Sequence, residues 1–159
     1  MTDRIRPCLW FERDAEPAAA FYVSLLPNSR ITQVARTPEG GRGTPGSVLM
    51  VAFELDGRPF QALNGGVDFP FSEAVSLSVA CPDQAEIDRL WAALAEGGTP
   101  QRCGWIKDRW GLPWQIVPEE MGALMSAQDP AAAARVMAAL TPMVKIDLEA
   151  LRRAHAGGS

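Results

Sequence analysis

The sequence predicts a mixed α/β (α+β) protein in which a β-α-β-β-β order of elements occurs twice and is followed by a helical segment. Apolar residues at the i, i+3, i+4, i+7 positions of a helix occur in two sets with the same internal spacing. These sets are Ala18, Phe21, Tyr22 and Leu25, and then Ile87, Leu90, Trp91 and Leu94. A strand of similar composition closes each repeat, first at 60–63 and then at 114–117. After Pro118 the chain becomes rich in Ala and Met and reads as helices.

The predicted domain organisation follows from how such repeats bury their sheets. One helix cannot cover both faces of the sheet in its own module, so we expect the two modules to pair. Pairing would leave the helices outside and one cup-shaped mixed sheet around a shared cavity. The predicted boundaries are 1–118 for the paired domain, with modules at about 1–66 and 73–118, and 119–159 for a C-terminal helical extension. We expect the extension to pack on the same domain or on a dimer partner.

The first module is expected to contain strands at 4–11, 31–35, 47–55 and 58–64. Its helix follows the first strand, and Asp14 is the predicted cap. The Gly- and Pro-rich segment 37–46 is a predicted loop. Because this loop leads into a strand and not into a helix, the sequence does not favour a nucleotide-binding loop there.

The second module is expected to begin with a strand at 73–80 and to end with short strands at 99–103, 105–108 and 113–117. Asp83 and Glu86 form a capping-box pattern for its helix. In the extension we expect one or two helices over 119–140, broken near Asp129 and Pro130, and a short helix at 147–156.

Composition narrows the class of partners. The net charge of -4 and the pI of about 5.0 favour neither nucleic acid nor an anionic membrane as a partner. No apolar run is long enough to span a bilayer, and the charged N-terminus does not resemble a signal peptide. The three cysteines are scattered and lack a CxxC spacing, which indicates reduced thiols. We therefore expect a cytoplasmic protein.

Several segments carry a resemblance to a known family. They are Cys8–Phe11, Ala19–Tyr22, Gln61–Gly66, Cys103–Asp108, Trp110–Gly111 and Trp114–Pro118, together with the tail Ala131–Ala156. These segments resemble the PhnB-like branch of the vicinal oxygen chelate superfamily, which is related to glyoxalase I and bleomycin-resistance proteins. The resemblance extends over nearly the whole chain and implies paired βαβββ modules that form an open, cup-shaped sheet.

The resemblance also raises the question of a metal. In metal-dependent members, His and Glu side chains from the first and fourth strands of each module hold a divalent ion that acts as a Lewis acid. The corresponding positions here are Pro7 or Cys8, Ala74 or Val75, Gln61 and Gln115. A neutral Gln binds hard cations far more weakly than Glu, and the single histidine, His155, lies near the C-terminus. We therefore expect neither a metal nor a cofactor.

The leading functional hypothesis is metal-independent binding of a small, partly aromatic or amphipathic molecule in the apolar cup, as in sequestering resistance proteins. The predicted ligand-binding residues are Trp10, Phe53, Gln61, Asn64, Trp105, Lys107, Trp114 and Gln115. Alternatives stay open for each kind of residue. The aromatic side chains pack equally well in a core, and the two glutamines can bond to each other or to the backbone. Lys107 can pair with Asp108 or Glu12.

Two other classes of function compete with ligand binding. One is a metal- or acid–base-dependent lyase, isomerase or dioxygenase, for which the warrant is analogy alone and no catalytic residue is predicted. The other is a structural or regulatory dimer without a small ligand. The Met-rich tail favours a symmetric homodimer in either case, through Met121, Met125, Met137 and Met143. Methyltransferase activity is not expected, because no strand, Gly-rich turn and helix suited to S-adenosylmethionine is found.

Overall fold

The computed structural model describes residues 4–41 and 43–158, and the chain divides into two compact units, 1–70 and 71–159. The described residues form two four-stranded mixed sheets and five helices. The predicted mixed α+β class is therefore confirmed. None of the helices in the described part of the chain combines the length and the hydrophobicity needed to span a bilayer.

The first unit contains one sheet and one helix. Its elements are β1 (Cys8–Phe11), α1 (Ala15–Leu25), β2 (Arg30–Arg36), β3 (Val48–Leu55) and β4 (Arg58–Asn64). The strand order is β1-β4-β3-β2, with β1 parallel to β4 and the other pairs antiparallel. The predicted loop between β2 and β3 leads into a strand, as expected.

Alternation along β3 defines which face of this sheet is covered. Val51, Phe53 and Leu55 are buried, whereas the residues between them are only half-buried. The ring of Phe53 lies 6.4 Å from that of Tyr22 on α1, so the buried side is the side that packs against the helix. Side chains of the opposite parity lie on the open face of the sheet.

The second unit repeats the same topology. Its sheet elements are β5 (Leu77–Cys81), α2 (Gln84–Ala95), β6 (Thr99–Pro100), β7 (Trp105–Lys107) and β8 (Pro113–Pro118). The strand order is β5-β8-β7-β6, again with one parallel pair, β5 and β8. The helix pattern predicted from the spacing of apolar residues is confirmed, since Ile87, Leu90 and Leu94 of α2 are buried.

Two predicted strands of this unit differ from the observed ones. The strand predicted at 73–80 begins only at Leu77, because the preceding residues form a turn in which Val75 N–H donates to the Ser72 carbonyl. Val75 is 70% exposed, so its apolar alternation does not reflect pairing. The strand predicted at 99–103 ends at Pro100, and Cys103 has a positive φ of 59° that is incompatible with a strand.

The helical extension begins after β8. It contains α3 (Met121–Leu124), α4 (Pro130–Leu140) and α5 (Leu148–Ala156). The predicted break near Asp129 is confirmed, because the Asp129 carboxylate accepts from Ala132 N–H and Pro130 opens α4.

This extension packs on the second unit of the same chain. The Gln84 side chain, at the start of α2, donates to the Ile146 carbonyl at 3.1 Å and accepts from Leu148 N–H at 2.9 Å. Gly104 N–H donates to the Val144 carbonyl at 2.9 Å. Ile146 is fully buried. A Cβ at Gly104 would lie 2.8 Å from the Ile146 side chain, so only glycine permits this approach.

Candidate functional site

Two predicted ligand residues, and one residue next to a third, lie on the open face of the first sheet. Trp10 of β1 and Gln61 and Leu63 of β4 have the parity opposite to the buried residues Phe60 and Ala62. The Gln61 backbone N–H donates to the Pro7 carbonyl at 2.9 Å, but its side-chain amide makes no hydrogen bond with the part of the chain that the structure describes. Gln61 is therefore a half-buried polar side chain on this face.

A cavity of about 800 Å³ adjoins this face where β1 and β4 end and α1 begins. Its walls include Trp10, Arg13, Glu16, Leu63, Asn64 and Gly65. The structure thus brings Trp10 and Asn64, two of the predicted ligand residues, to one concave surface within the first unit. Gln61 is not part of the wall, although it shares the face of Leu63.

Trp10 is held in one orientation by three neighbours. Its indole N–H donates to the Val67 carbonyl at 2.8 Å, and its ring lies 5.3 Å from the ring of Phe69. The indole also lies against the backbone of Gly65, where a Cβ would approach ring carbon Cζ2 to 1.8 Å. Any residue other than glycine at this position would displace the indole.

Asn64 connects the end of β4 to the start of α1. Its Oδ1 accepts from Ala15 N–H at 2.8 Å, and its Nδ2 donates to the Val48 carbonyl at 3.0 Å. The predicted cap, Asp14, makes no capping hydrogen bond, so that prediction is wrong. Asn64 takes the role because it satisfies a free helix N–H from a strand 49 residues away. Both polar groups of Asn64 are therefore bonded to the backbone.

The open face of the second sheet carries Trp105, Lys107 and Gln115. Trp105 and Gln115 are direct partners across the β7–β8 pair. The Gln115 amide donates to the Ser76 hydroxyl at 2.8 Å, so its partner is a side chain that sequence reasoning missed. All three predicted residues are half-buried.

Lys107 forms an ion pair with Glu73 at 2.8 Å, and not with either partner that the sequence suggested. Asp108 is unsuitable because adjacent residues of a strand point to opposite faces. The Lys107 ammonium, followed by a hydrogen bond from Gln101, lowers the pKa of Glu73 to about 2. Glu73 lies in the turn before β5, and no sequence pattern relates it to Lys107 of β7.

Two predicted ligand residues belong to the cores. Phe53 and Trp114 are each only 1% exposed, and both have the parity of the helix-facing side of their sheets. The Trp114 indole N–H donates to Asp108 Oδ2 at 3.0 Å. Because neither ring reaches an open face, we assign both a packing role and leave them out of the site.

The Asp108 carboxylate organises the turn formed by the segment Lys-Asp-Arg-Trp-Gly at 107–111. Its carboxylate is 3% exposed and also accepts from the backbone N–H groups of Trp110 and Leu112, at 2.9 and 3.1 Å. A buried charge of this kind persists only when several donors satisfy it. Asp108 therefore holds the turn between β7 and β8.

The positions that correspond to metal ligands can be read from strand register. Gln61 lies beside Cys8, and Gln115 lies beside Ser78, which corrects the sequence-based choice of Ala74 or Val75. Partial burial raises the pKa of the Cys8 thiol. Each unit thus places one amide beside a thiol or a hydroxyl, and neither pair fits a divalent metal centre. Within residues 4–41 and 43–158, no group of three or more His, Cys, Asp or Glu residues is placed to hold a metal.

Comparisons with known proteins agree with the fold and the motifs. The profile of one family, described as 3-demethylubiquinone-9 3-methyltransferase, matches residues 3–117. The PhnB protein from Bacillus cereus is 34% identical, with a TM-score of 0.68 over 73% of this chain and 99% of that chain. A Pseudomonas aeruginosa protein shares the fold at 24% identity, with a TM-score of 0.57 over 72% and 96% of the two chains. No curated protein matches the chain. Since the profile covers most of the sequence, the chain belongs to this PhnB-like family of the vicinal oxygen chelate superfamily.

Proposed function

We propose that this protein binds a small, partly aromatic or amphipathic molecule in the cavity of the first unit without the help of a metal ion. The observation that carries the proposal is the cavity of about 800 Å³ beside Trp10. Ligand pockets commonly measure about 300–1,000 Å³ and combine apolar walls with a few polar groups. Trp10 and Leu63 supply apolar wall here, and the Glu16 carboxylate supplies polar atoms.

The fixed orientation of Trp10 supports aromatic ligands in particular. Its contacts with Gly65, Val67 and Phe69 restrain the indole before any ligand arrives. A restrained wall loses little conformational entropy on binding, which favours affinity. Aromatic rings stack on indole in offset or tilted arrangements that contribute about 0.5–1.5 kcal/mol beyond the area buried.

Polar anchors follow from the remaining predicted residues. The Gln61 side-chain amide is free of hydrogen bonds to the described residues and lies on the face of Leu63 outside the cavity wall, so we assign it to a polar group of a ligand that extends from the cavity along this face. Asn64 acts instead by positioning α1 and β3 around the cavity. Trp105, Lys107 and Gln115 do not line this cavity, and they remain a separate proposal for ligand contacts within the second unit, where Lys107 and Gln115 would exchange their present partners for a ligand.

A Gly→Ala substitution beside Trp10 tests the proposal. Gly65→Ala displaces the indole, whereas Gly122→Ala is a matched control because a Cβ there has no atom within 4 Å. We expect chelator-treated, isotope-labelled protein to bind quinoline, a neutral two-ring aromatic, with NMR shifts at the Trp10 indole N–H and at Gly66 N–H. G65A should weaken this binding by roughly tenfold or more, and G122A should leave it unchanged.

Two results would oppose the proposal. Quinoline shifts confined to residues away from the cavity would show that the site lies elsewhere. Binding that requires added Zn²⁺, Ni²⁺ or Mn²⁺ would show that a metal takes part. It would favour the alternative hypothesis of a metal-dependent enzyme.

The family description names a methyltransferase, but we do not propose that activity. Among the described residues, the strand-to-helix connections are 12–14, 82–83 and 119–120, and none contains glycine. A nucleotide-binding turn needs glycine so that the backbone can approach the ligand and so that a helix N-terminus faces it.

The homodimer and the cytoplasmic location also remain proposals. Met137 and Val144 of the extension are 48% and 45% exposed, which gives a dimer some apolar surface to bury. Sedimentation of the full chain tests the dimer, since a monomer at micromolar concentration would contradict it. Fractionation of cells that express the protein tests the location.

A further inference from the structure

The charged residues in the described part of the first-unit cavity wall are not balanced. Glu12, Arg13 and Glu16 all contribute to its wall. Arg13 forms an ion pair with Glu12, so those two charges largely cancel. Glu16 forms neither an ion pair nor a side-chain hydrogen bond with the part of the chain that the structure describes. The described wall therefore presents one uncompensated carboxylate.

Glu16 is placed on a rigid element at this surface. It lies in the first turn of α1 and is half-buried between its neighbours Ala15, which is buried, and Pro17, which shares the cavity wall. The helix start is fixed by the Asn64 bond to Ala15 N–H. The carboxylate and the restrained indole of Trp10 therefore belong to one preorganised surface.

We infer that the ligand of this cavity is a positively charged planar aromatic molecule, with its ring on Trp10 and its charge near Glu16. This inference rests on the proposed function and specifies its ligand class. An aromatic cation is attracted to the indole face by the ring quadrupole and to Glu16 by Coulomb forces. An anion of the same shape gains neither attraction. Neutral aromatics gain only the stacking contact.

Three probes of similar size separate charge from shape: N-methylquinolinium as the cation, quinoline as the neutral molecule at pH 8, and 1-naphthoate as the anion. Chelator-treated full-length protein is titrated with each, and shifts at the Trp10 indole N–H report the cavity. We expect the cation to bind about tenfold more tightly than quinoline, and the anion to bind most weakly. The advantage of the cation should shrink with added salt.

Glu16→Gln provides the site-specific test, with Glu119→Gln as the control because Glu119 is exposed and lies in the second unit. E16Q should remove most of the advantage of N-methylquinolinium over quinoline, leaving only the part that comes from the indole face, and should leave quinoline binding itself unchanged. E119Q should change neither. Preserved amide spectra would show that both variants fold.

The possible outcomes separate this inference from the proposed function. Equal affinities for the cation and for quinoline would overturn the inference while the binding proposal stands. A cation preference that E16Q does not reduce would overturn the role of Glu16. Absence of shifts at Trp10 with all three probes would overturn both.

Discussion

The two units share one topology, but the corresponding edge of the sheet is open in the first unit and covered in the second. In the first unit, the edge where the parallel strands end and the helix begins opens into the cavity beside Trp10. In the second unit, the equivalent edge is covered by the C-terminal extension, because Gln84 at the start of α2 bonds to the backbone of Ile146 and Leu148. Added chain therefore leaves the corresponding edge open in one module and covered in the other.

The units also cap their helices by different means. Asp83 caps α2 locally, accepting from Glu86 N–H at 2.9 Å, whereas Asn64 caps α1 from the end of a distant strand. A local cap stabilises the helix alone. A distant cap also fixes the helix relative to the sheet, which matters where the space between them must stay open.

The largest effect is expected in the second unit. Asp108→Ala removes the acceptor of three donors: the backbone N–H groups of Trp110 and Leu112 and the indole N–H of Trp114. We expect a loss of about 4 kcal/mol in the free energy of unfolding, because each buried unsatisfied donor costs about 1–3 kcal/mol. Chemical denaturation measures it. A loss under about 1 kcal/mol would show that Asp108 does not hold the turn.

The two caps should differ in strength. Asn64→Ala removes a cap and also leaves the Val48 carbonyl unsatisfied, so we expect a cost of about 2–3 kcal/mol. Asp83→Ala, the matched control, removes only a local cap and should cost about 1 kcal/mol. Denaturation midpoints compare the two. Equal losses would contradict the distinction between distant and local capping.

The smallest effect concerns the surface pair in the second unit. Lys107→Met should return the pKa of Glu73 from about 2 toward its usual value of 4.5. Because the folded-state pKa is depressed, the stabilisation from this pair is present above about pH 4.5 and is lost as the pH falls toward 2. An NMR titration of the Glu73 carboxyl group measures the change.

The control for that titration is Lys145→Met. Lys145 pairs with Asp88 and lowers the pKa of that carboxylate, so K145M should affect Asp88 and leave Glu73 unchanged. A Glu73 titration that K107M does not alter would contradict the assigned partner.

Local features were predictable from the sequence, and long-range partners were not. The helices, their apolar faces, the cap at Asp83 and the break near Asp129 follow from short spacings, and the structure confirms them. Strand parity would also have separated Trp114 from Gln115, since adjacent strand residues face opposite sides. The bond from Asn64 to Ala15 spans 49 residues, and no local pattern signals it.

In the candidate site, too, the local motif was predictable from the sequence and its long-range contacts were not. The segment Asn64-Gly65 was recognisable as a motif, but its physical reasons lie in contacts with Ala15 and with the Trp10 ring. Glu16 and Glu73 were missed because isolated surface carboxylates carry no spacing signal. Their roles depend on which elements meet in the folded chain.

The most direct test of metal-free binding in the first unit is to locate a bound aromatic molecule. Intermolecular NOEs would be recorded between quinoline and chelator-treated, labelled protein. Contacts from quinoline to the Trp10 ring and the Leu63 methyl groups are the expected result. Saturable binding whose NOEs come only from residues of 71–158 would contradict the assignment of the ligand to the first unit.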